Sequence, residues 1–389
     1  MPRELTIAAV QMDGAPAPKA ERLERAEALV AEAVEKGANL VVLPEVFNTG
    51  YEYHEGNYAL PEPIGGETMD WMEAVAARHD VHLAGSLYIQ DDKEIYDSQI
   101  IMSPSGQHWR YDKNYPWLFE RAYFQAGNEI MIADTEIGKL GMMICWDYAH
   151  PELWQRYAGK IDALIVTSSP PNMERFKLLM PNGNKVDARA LGPLINRARY
   201  AGDQPFGEDL NAQADWLGVP LVNSGGTGQF RSHLPGARAM YIPFTMFRPD
   251  LWGQVSQAHE VEMVTDFYSV AKVVSADGKV LAQAEEKTGD SFALATVGLP
   301  DKTPVASEEE QPDIPYTAFT YFMLDVLGPS QMESHYRRGV RQQWGEAMAP
   351  FQRTYRWHII LGLGIVGLVA TLLRFVGGIF GGQQTRPEQ

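Results

Sequence analysis

Two hydrophobic patterns alternate along most of the chain. Short apolar runs, as at 163–167, are typical of buried strands, whereas 19–36 and 187–216 are predicted to be helices. The dipeptide of Asp277 and Gly278 separates two further apolar runs, which predicts a β-hairpin. Strands that alternate with helices, together with hairpins that pair strands antiparallel, predict mixed α/β layers.

The end of the sequence has a different pattern. Residues 359–373 contain no charged side chain, and only Arg374 interrupts the uncharged stretch that follows. A helix of about 24 residues is about 36 Å long, enough for a hydrocarbon layer of about 30 Å. Because Tyr355 and Trp357 suit the membrane interface, we predict a transmembrane helix at 358–382. A buried core helix is the alternative.

Arginine residues are unequally distributed around this segment. Arg386 follows it, whereas five arginines precede it, at positions 337, 338, 341, 353 and 356. The positive-inside rule therefore predicts a single-pass, C-terminally anchored membrane protein with its large N-terminal part in the cytoplasm. The first residues contain no apolar run of signal-peptide length, which agrees with that orientation.

The main domain is predicted to end near residue 300. Residues 303–315 contain three adjacent glutamates and three prolines, a composition typical of a linker. Residues 316–327 predict an aromatic-rich helix that lies on the membrane, on a partner subunit, or back on the main domain. The predicted units are a domain at 1–300, a linker and juxtamembrane segment at 301–357, a transmembrane helix at 358–382 and a tail at 383–389.

Composition excludes several classes of protein. A hydrophobic content of 45% is ordinary for a globular chain. The formal charge of −17 would repel phosphate backbones, so we expect no nucleic-acid partner. Cys145 is the single cysteine, which excludes an internal disulfide and a multi-thiolate metal site.

Three chemically useful side chains follow apolar runs. Glu45 follows LVVLP, Lys113 follows HWRYD and Cys145 follows LGMMI. Taken singly, each has a structural explanation: a turn residue, a surface charge and a buried thiol. Together they supply a base, a cation for a developing oxyanion and a nucleophile. A nearby ammonium is expected to lower the pKa of the thiol.

These residues lie in recognisable blocks. LPEVFNTGY around Glu45, YDKNYPW around Lys113 and GMMICWDYAHPE around Cys145 resemble the signature blocks of the nitrilase superfamily of carbon–nitrogen hydrolases. Glu120, in FERAYFQAG, resembles the second glutamate of its amidase and carbamoylase members. The resemblance covers residues 4–299.

The resemblance implies a fold and a mechanism. The fold is a four-layer α-β-β-α sandwich, and the protomers are expected to form a homodimer or a larger homo-oligomer. Cys145 would attack the substrate carbon after Glu45 takes its proton. Lys113 and the backbone N–H of Trp146 would hold the oxyanion, and Glu120 would orient the lysine. Neither a metal nor an organic cofactor is implied.

Other residues bear on the substrate. We expect Tyr51, Trp146 and the polar stretch 169–209 to shape the pocket. Asp147 follows the Cys-Trp pair, and amidase-type members tend to carry aspartate there whereas nitrilases carry glutamate. His150 stands where many members have an aromatic residue, and we interpret it as a structural hydrogen-bonding residue in preference to an acid or base.

The sequence therefore predicts a thiol amidohydrolase that cleaves a non-peptide C–N bond of a small linear amide or carbamoyl compound. Three alternatives remain open at this point. They are a true nitrilase, an N-acyltransferase that uses the same Glu-Lys-Cys site, and a catalytically inactive, membrane-tethered scaffold.

Overall fold

The computed structural model describes residues 3–193, 195–196, 206–285, 289–300, 302–314 and 316–350. Its strands are β1 Arg3–Asp13, β2 Leu40–Val42, β3 Glu62–Pro63, β4 His82–Asp91, β5 Glu94–Met102, β6 His108–Asp112, β7 Ile132–Thr135, β8 Gly138–Ile144, β9 Ala163–Thr167, β10 Lys177–Leu179, β11 Lys185–Asp187, β12 Leu221–Thr227, β13 Gln229–His233, β14 Glu262–Asp266, β15 Lys272–Val274, β16 Val280–Gln283 and β17 Ser291–Leu299.

The α-helices are separated along the chain by these strands, except for the last two. They are α1 Lys19–Glu35, α2 Glu67–His79, α3 Pro151–Tyr157, α4 Glu208–Leu217, α5 Arg238–Thr245, α6 Ala318–Tyr321 and α7 Gly328–Trp344. A π-helical stretch, Phe322–Leu327, joins α6 to α7, so that these three pieces form one helical segment.

The main sheet consists of two halves that meet at β1 and β12. Its strand order is β6-β5-β4-β2-β1-β12-β9-β8-β7. Strands β1 and β12 pair in parallel only at their ends, from Gln11 opposite Gly225 to Asp13 opposite Thr227. Strand β17 pairs with β1 in antiparallel orientation. Strands β15 and β16 form a hairpin, and β15 pairs with β12. Strands β10, β11, β13 and β14 form a separate small sheet.

The two halves of the main sheet pack face to face. Ile7 and Ala9 of β1 and Ala84 of β4 belong to one buried cluster with Met142 of β8 and Ile165 of β9. Neighbouring residues of a strand point to opposite faces of the sheet. The remaining side chains of each half therefore point outward, where another layer can pack on them.

Helices cover both outer faces. Ala8 and Val10 of β1 pack with α1 and α2 in a second cluster. On the other side, Met143 of β8 packs with Trp154 of α3 and Leu210 of α4. The order is therefore helices, sheet, sheet, helices, which is the four-layer α-β-β-α sandwich that the resemblance implied.

The predicted helix at 187–216 is shorter in the structure. Residues Lys185–Asp187 are strand β11, a 3₁₀ turn covers Ala188–Leu191, and α4 begins at Glu208. Gly192 ends the turn with a φ of 110°, a conformation that interrupts a helix. Part of the predicted helix, 197–205, lies outside the described residues.

The chain after residue 300 contacts the layers of the sandwich. The Thr303 hydroxyl donates a hydrogen bond of 2.9 Å to the Asp162 carboxylate. The Ser307 amide donates one of 2.8 Å to the Trp216 carbonyl. Although residues 303–315 have the composition of a linker, their described part is held against the domain by these contacts.

The helical segment that follows also packs on the main domain. Met332, Tyr336 and Val340 of α7 are fully buried in one cluster with Tyr58 and Tyr123. Of the alternatives that the sequence left open for this region, the structure shows packing against the main domain. The packed unit thus extends to about residue 350, beyond the boundary expected at residue 300.

The predicted transmembrane helix at 358–382 and the tail at 383–389 lie outside the described residues. Within the part of the chain that is described, no helix combines the length and the apolar character needed to cross a bilayer.

Candidate active site

The three residues that followed apolar runs in the sequence come together at one end of the two sheet halves. Glu45 comes shortly after β2, Lys113 directly after β6 and Cys145 directly after β8. All three are buried, with exposed fractions of 2%, 0% and 6%. The strands are fixed by the core, so their ends hold these side chains in defined positions.

Lys113 lies between two carboxylates. Its Nζ is 2.6 Å from Oε1 of Glu45 and 2.6 Å from Oε2 of Glu120. Burial alone would lower the pKa of the lysine, but the negative charges of Glu120 and Glu45 outweigh burial and raise it. The ammonium is therefore charged at neutral pH, as an oxyanion partner must be.

Ser169 holds Glu45 through its backbone and its side chain. The Ser169 amide donates a hydrogen bond of 2.8 Å to Oε2 of Glu45. The Ser169 hydroxyl donates to the Glu45 carbonyl oxygen at 3.0 Å. One carboxylate oxygen of Glu45 thus faces Lys113, and the other faces the Ser169 amide.

Glu120 is fixed by further donors. Its Oε2 accepts a hydrogen bond of 2.6 Å from the Trp117 amide, and its Oε1 accepts one from the Tyr51 hydroxyl. Burial, followed by the charge of Glu120, raises the pKa of Tyr51 well above its usual value, so the phenol stays a donor. A second phenol, Tyr53, lies 3.0 Å from that of Tyr51.

Cys145 begins a 3₁₀ turn, Cys145–Ala149, in a strained conformation. Its φ is 45°, in the left-handed region that residues with a Cβ rarely adopt. Strain of this kind persists only where the surroundings impose it, and it clusters at functional sites. We name Cys145–Ala149 the nucleophile turn.

The pKa of the Cys145 thiol differs from the sequence-based prediction. Burial, followed by the charge of Glu45, raises it well above its usual value, and the opposing effect of Lys113 is smaller. The Lys113 ammonium does act to lower the thiol pKa, as predicted, but burial and Glu45 outweigh it, so the net shift is upward and not toward neutrality. A thiol of this kind is neutral at rest and needs a base when it attacks.

Asp147 links the nucleophile turn to residues on either side of Lys113. Its carboxylate accepts hydrogen bonds from the Ile144 amide at 3.0 Å, the Tyr111 hydroxyl at 2.8 Å and the Tyr115 amide at 2.8 Å. Tyr111 precedes Lys113 and Tyr115 follows it, so Asp147 holds the turn against the part of the chain that carries Lys113.

A narrow cavity opens above Cys145. Of the residues expected to shape it, Tyr51 and Trp146 line its wall, and Glu120 lies in the wall with them. The volume open to the centres of water molecules is about 60 Å³. One water needs roughly 10–15 Å³ by that measure, so the cavity has room for a small molecule.

The rest of the wall comes from two parts of the chain. Pro170, Pro171 and Met173 belong to the polar stretch that is expected to contribute. Tyr316 and Leu324 belong to the predicted aromatic-rich helix, for which the sequence indicates no place in the cavity wall. The aromatic residues at 316–327 were the available signal, but nothing in the sequence indicates which surface they cover. The role of the Ser169 amide has no sequence signal at all, because any residue type supplies it.

Metal-ligating side chains do not cluster in the described part of the chain. Among those residues, no group of three or more His, Cys, Asp or Glu side chains is arranged to hold a metal ion.

Comparisons with known proteins identify the family. The family model for carbon-nitrogen hydrolases matches residues 6–185. A nitrilase of Pyrococcus abyssi is 32% identical over 222 residues, which are 56% of this chain and 80% of that protein. Omega-amidase NIT2-A of Xenopus laevis is 32% identical over 196 residues, 45% of this chain and 70% of that protein.

Solved structures agree on the fold. The crystal structure of Nit3 from Saccharomyces cerevisiae, a member of the nitrilase superfamily, superposes with a TM-score of 0.53. The superposition covers 76% of this chain and 90% of that one at 20% identity, so it bears on the fold alone. The chain belongs to the carbon–nitrogen hydrolases of the nitrilase superfamily.

Proposed function

We propose that the protein is a thiol-dependent amidohydrolase that cleaves the C–N bond of a small linear amide or carbamoyl compound through a thioester on Cys145. The observation that carries this proposal is the arrangement of Lys113 between Glu45 and Glu120, beside the cavity that Cys145 lines. It combines a base, a permanent cation and a nucleophile in one buried site.

The first half of the reaction forms the thioester. Glu45 takes the proton of the Cys145 thiol as the sulfur attacks the carbonyl carbon, which becomes tetrahedral. Lys113 and the Trp146 amide hold the oxyanion. The C–N bond then breaks, and Glu45 returns the proton to the nitrogen, which leaves as ammonia or an amine.

The second half restores the thiol. A water molecule takes the place of the amine and loses a proton to Glu45 as it attacks the thioester. The C–S bond breaks, and the sulfur leaves with the proton from Glu45. The net reaction converts an amide and water into a carboxylic acid and ammonia or an amine.

Glu120 and Tyr51 support this chemistry from one side. The charge of Glu120 keeps Lys113 protonated, and the Tyr51 phenol fixes the Glu120 carboxylate. Both line the cavity, so both are placed to meet the amide nitrogen. The small cavity favours a short substrate over a bulky one.

The relatives include proteins described as a nitrilase and as an omega-amidase, so amide and nitrile substrates are tested side by side. Ammonia release is measured from a panel of short linear amides, carbamoyl compounds and the matching nitriles. We expect turnover of amides, with an acyl adduct on Cys145 detected by intact-protein mass spectrometry after acid quench. Turnover of nitriles alone would refute the amidase proposal, and Cys145→Ala is the control for contaminating activity.

We also propose that residues 358–382 anchor the enzyme in a membrane as a single span, with the catalytic domain on the cytoplasmic side. The uncharged run at 359–373 and the arginines before it support this proposal. A homo-oligomer, at least a homodimer, is proposed from the family resemblance, and light scattering of the detergent-solubilised protein tests it.

A further inference from the structure

The carboxylate of Asp325 joins the helical segment Ala318–Trp344 to the nucleophile turn. Asp325 lies in the π-helical stretch that joins α6 and α7. Its Oδ1 accepts a hydrogen bond of 3.1 Å from the Trp146 indole, and its Oδ2 lies 3.1 Å from Nε2 of His150. A single side chain from the C-terminal part of the molecule thus contacts two residues that follow the nucleophile.

His150 is held on both sides of its ring. Its Nδ1 lies 3.1 Å from the Trp146 carbonyl oxygen, which is an acceptor, and its Nε2 faces the carboxylate of Asp325. Both ring nitrogens therefore face an acceptor. The ring also stacks on Tyr115, with centroids 3.5 Å apart and planes 8° from parallel. Contacts at both ring nitrogens and on the ring face thus hold the imidazole in this orientation.

Two more contacts fix the segment against the turn. The Tyr321 hydroxyl donates a hydrogen bond of 2.5 Å to the Ala149 carbonyl oxygen. Two residues before the segment begins, the Tyr316 hydroxyl lies 2.8 Å from the Tyr148 hydroxyl of the turn. The segment therefore contacts side chains and backbone of the turn, and it lies outside residues 6–185 that match the family model.

We propose that Asp325 is a positioning residue for the nucleophile turn: through Trp146 and His150 it sets the backbone that carries the sulfur and the oxyanion-binding amide. The inference rests on the proposed amidase function. Cys145 and Trp146 are consecutive, so a shift of the turn moves the nucleophile and the oxyanion donor together. Misplacement by about 1 Å is enough to lower a rate by about 10²-fold.

The decisive comparison uses three variants of the full chain. Asp325→Ala removes both acceptors, and we expect kcat to fall by about 10- to 100-fold with little change in KM. Asp325→Asn keeps the shape of the side chain, with an oxygen for the indole and a polar amide group beside Nε2 of His150, so we expect kcat within about threefold of wild type. Val326→Ala changes the exposed neighbour and is the matched control.

Each result decides the proposal. Equal kcat values for Asp325→Ala and Val326→Ala would overturn it, as would a loss for Asp325→Asn as large as that for Asp325→Ala. A merely structural role would lower the melting temperature of Asp325→Ala and leave the kcat of the folded fraction unchanged. If Asp325→Ala does not fold, His150→Phe replaces it, because phenylalanine keeps a ring on Tyr115 and removes both ring nitrogens.

A spectroscopic readout is independent of turnover. The ¹⁵N signals of the His150 ring are assigned by comparison with His150→Phe. They are expected to shift in Asp325→Ala and to stay unchanged in Val326→Ala, because only the first variant removes the carboxylate that faces Nε2. His150 signals that are the same in wild type and Asp325→Ala would overturn the contact on which the proposal depends.

The role of Asp325 can be tested even if the proposed function is wrong. If wild type hydrolyses no amide of the panel, the rate at which iodoacetamide alkylates Cys145 tests the positioning role of Asp325. Cys145 is the single thiol of the chain, so the reagent reports on that sulfur. We expect Asp325→Ala to be alkylated about 10-fold more slowly than Asp325→Asn and Val326→Ala, because the reactive carbon is no longer aligned with the sulfur. Equal alkylation rates would overturn the inference whatever the substrate.

Discussion

Nζ of Lys113 lies 2.6 Å from Oε1 of Glu45, and both side chains are completely shielded from solvent. A buried ion pair is not a strong source of stability, because desolvation of the two charges offsets their attraction. The proposed mechanism gives the pair a chemical role, because it keeps a cation and a base side by side next to the cavity that Glu120 and Cys145 line. The consequences of breaking it are correspondingly large.

Lys113→Ala is expected to lower kcat by about 10²-fold or more, because it removes charge stabilisation that forms in the transition state. It should also lower the free energy of unfolding by about 3–5 kcal/mol, since Glu45 and Glu120 would remain as buried carboxylates without a cation. Steady-state kinetics and chemical denaturation measure the two effects.

Lys139→Ala is the control for this prediction, since its side chain is exposed at the surface of β8. It should leave kcat and the free energy of unfolding unchanged within error. If Lys113→Ala altered KM alone and left kcat at the wild-type value, the lysine would bind the ground state and the oxyanion role would be refuted.

Cys145→Ala should lower kcat by at least about 10³-fold, since covalent catalysis is lost with the sulfur. The exchange removes little volume at a site that borders the cavity, so the melting temperature should stay close to that of wild type. Ammonia release and thermal unfolding, measured on the same preparation, test both halves of the prediction. A folded variant that keeps a substantial part of wild-type turnover would exclude Cys145 as the nucleophile.

The convergence of the reactive residues could be predicted because it follows from general properties of strands. Glu45, Lys113 and Cys145 each come just after a buried strand, and neighbouring strand ends of a packed sheet meet at one edge. Glu120 could be assigned to the site only from the family resemblance. It lies in a 3₁₀ turn and does not follow a strand, so the argument from strand ends does not apply to it.

The electrostatics and the C-terminal packing could not be predicted in the same way. The pKa of Cys145 depends on how deeply the thiol is buried and on its distance from Glu45, and neither quantity is visible in the sequence. Asp325 lies 179 residues from Trp146, so nothing local indicates their contact. The apolar residues of α7 indicate a buried face, but any apolar surface would satisfy that pattern.

Asp97 gives a prediction about the pH dependence of stability. Its carboxyl is buried beside the charged cluster, and burial, followed by the negative charge of Glu45, raises its pKa well above the usual value. The folded state therefore binds this proton more tightly than the unfolded state. The contribution of Asp97 to the free energy of unfolding is fully present at pH values below the ordinary carboxyl pKa. It is lost as the pH rises toward the raised pKa of the folded state.

Asp97→Asn should remove this contribution, so the variant should lose less stability than wild type between about pH 4 and neutrality. Denaturation midpoints measured at several pH values provide the test. Asp92→Asn, at an exposed turn residue of similar sequence position, is the control and should follow the wild-type profile. A variant whose stability falls with pH as steeply as that of wild type would show that Asp97 is not the group responsible.

The end of the packed unit is tested by two shortened chains. A chain that ends after residue 350 keeps Tyr316, Leu324 and the buried face of α7, so it should be soluble without detergent and have wild-type kcat. A chain that ends after residue 300 loses two residues of the cavity wall. It also exposes the surface that Tyr336 covers, where the phenol donates a hydrogen bond of 2.7 Å to Glu94.

Full burial of a large apolar side chain contributes roughly 1.5–3 kcal/mol, so the loss of Met332, Tyr336 and Val340 together should leave the shorter chain aggregated or inactive. If the chain ending at residue 300 were soluble and fully active, residues 302–350 would be dispensable and the domain would end where its sequence suggested.

The uncut chain is the reference: with a membrane anchor at 358–382, it should resist a high-salt wash and leave the membrane fraction only in detergent. Release by salt alone would refute the anchor while leaving the comparison of the two shortened chains intact, because neither contains that segment.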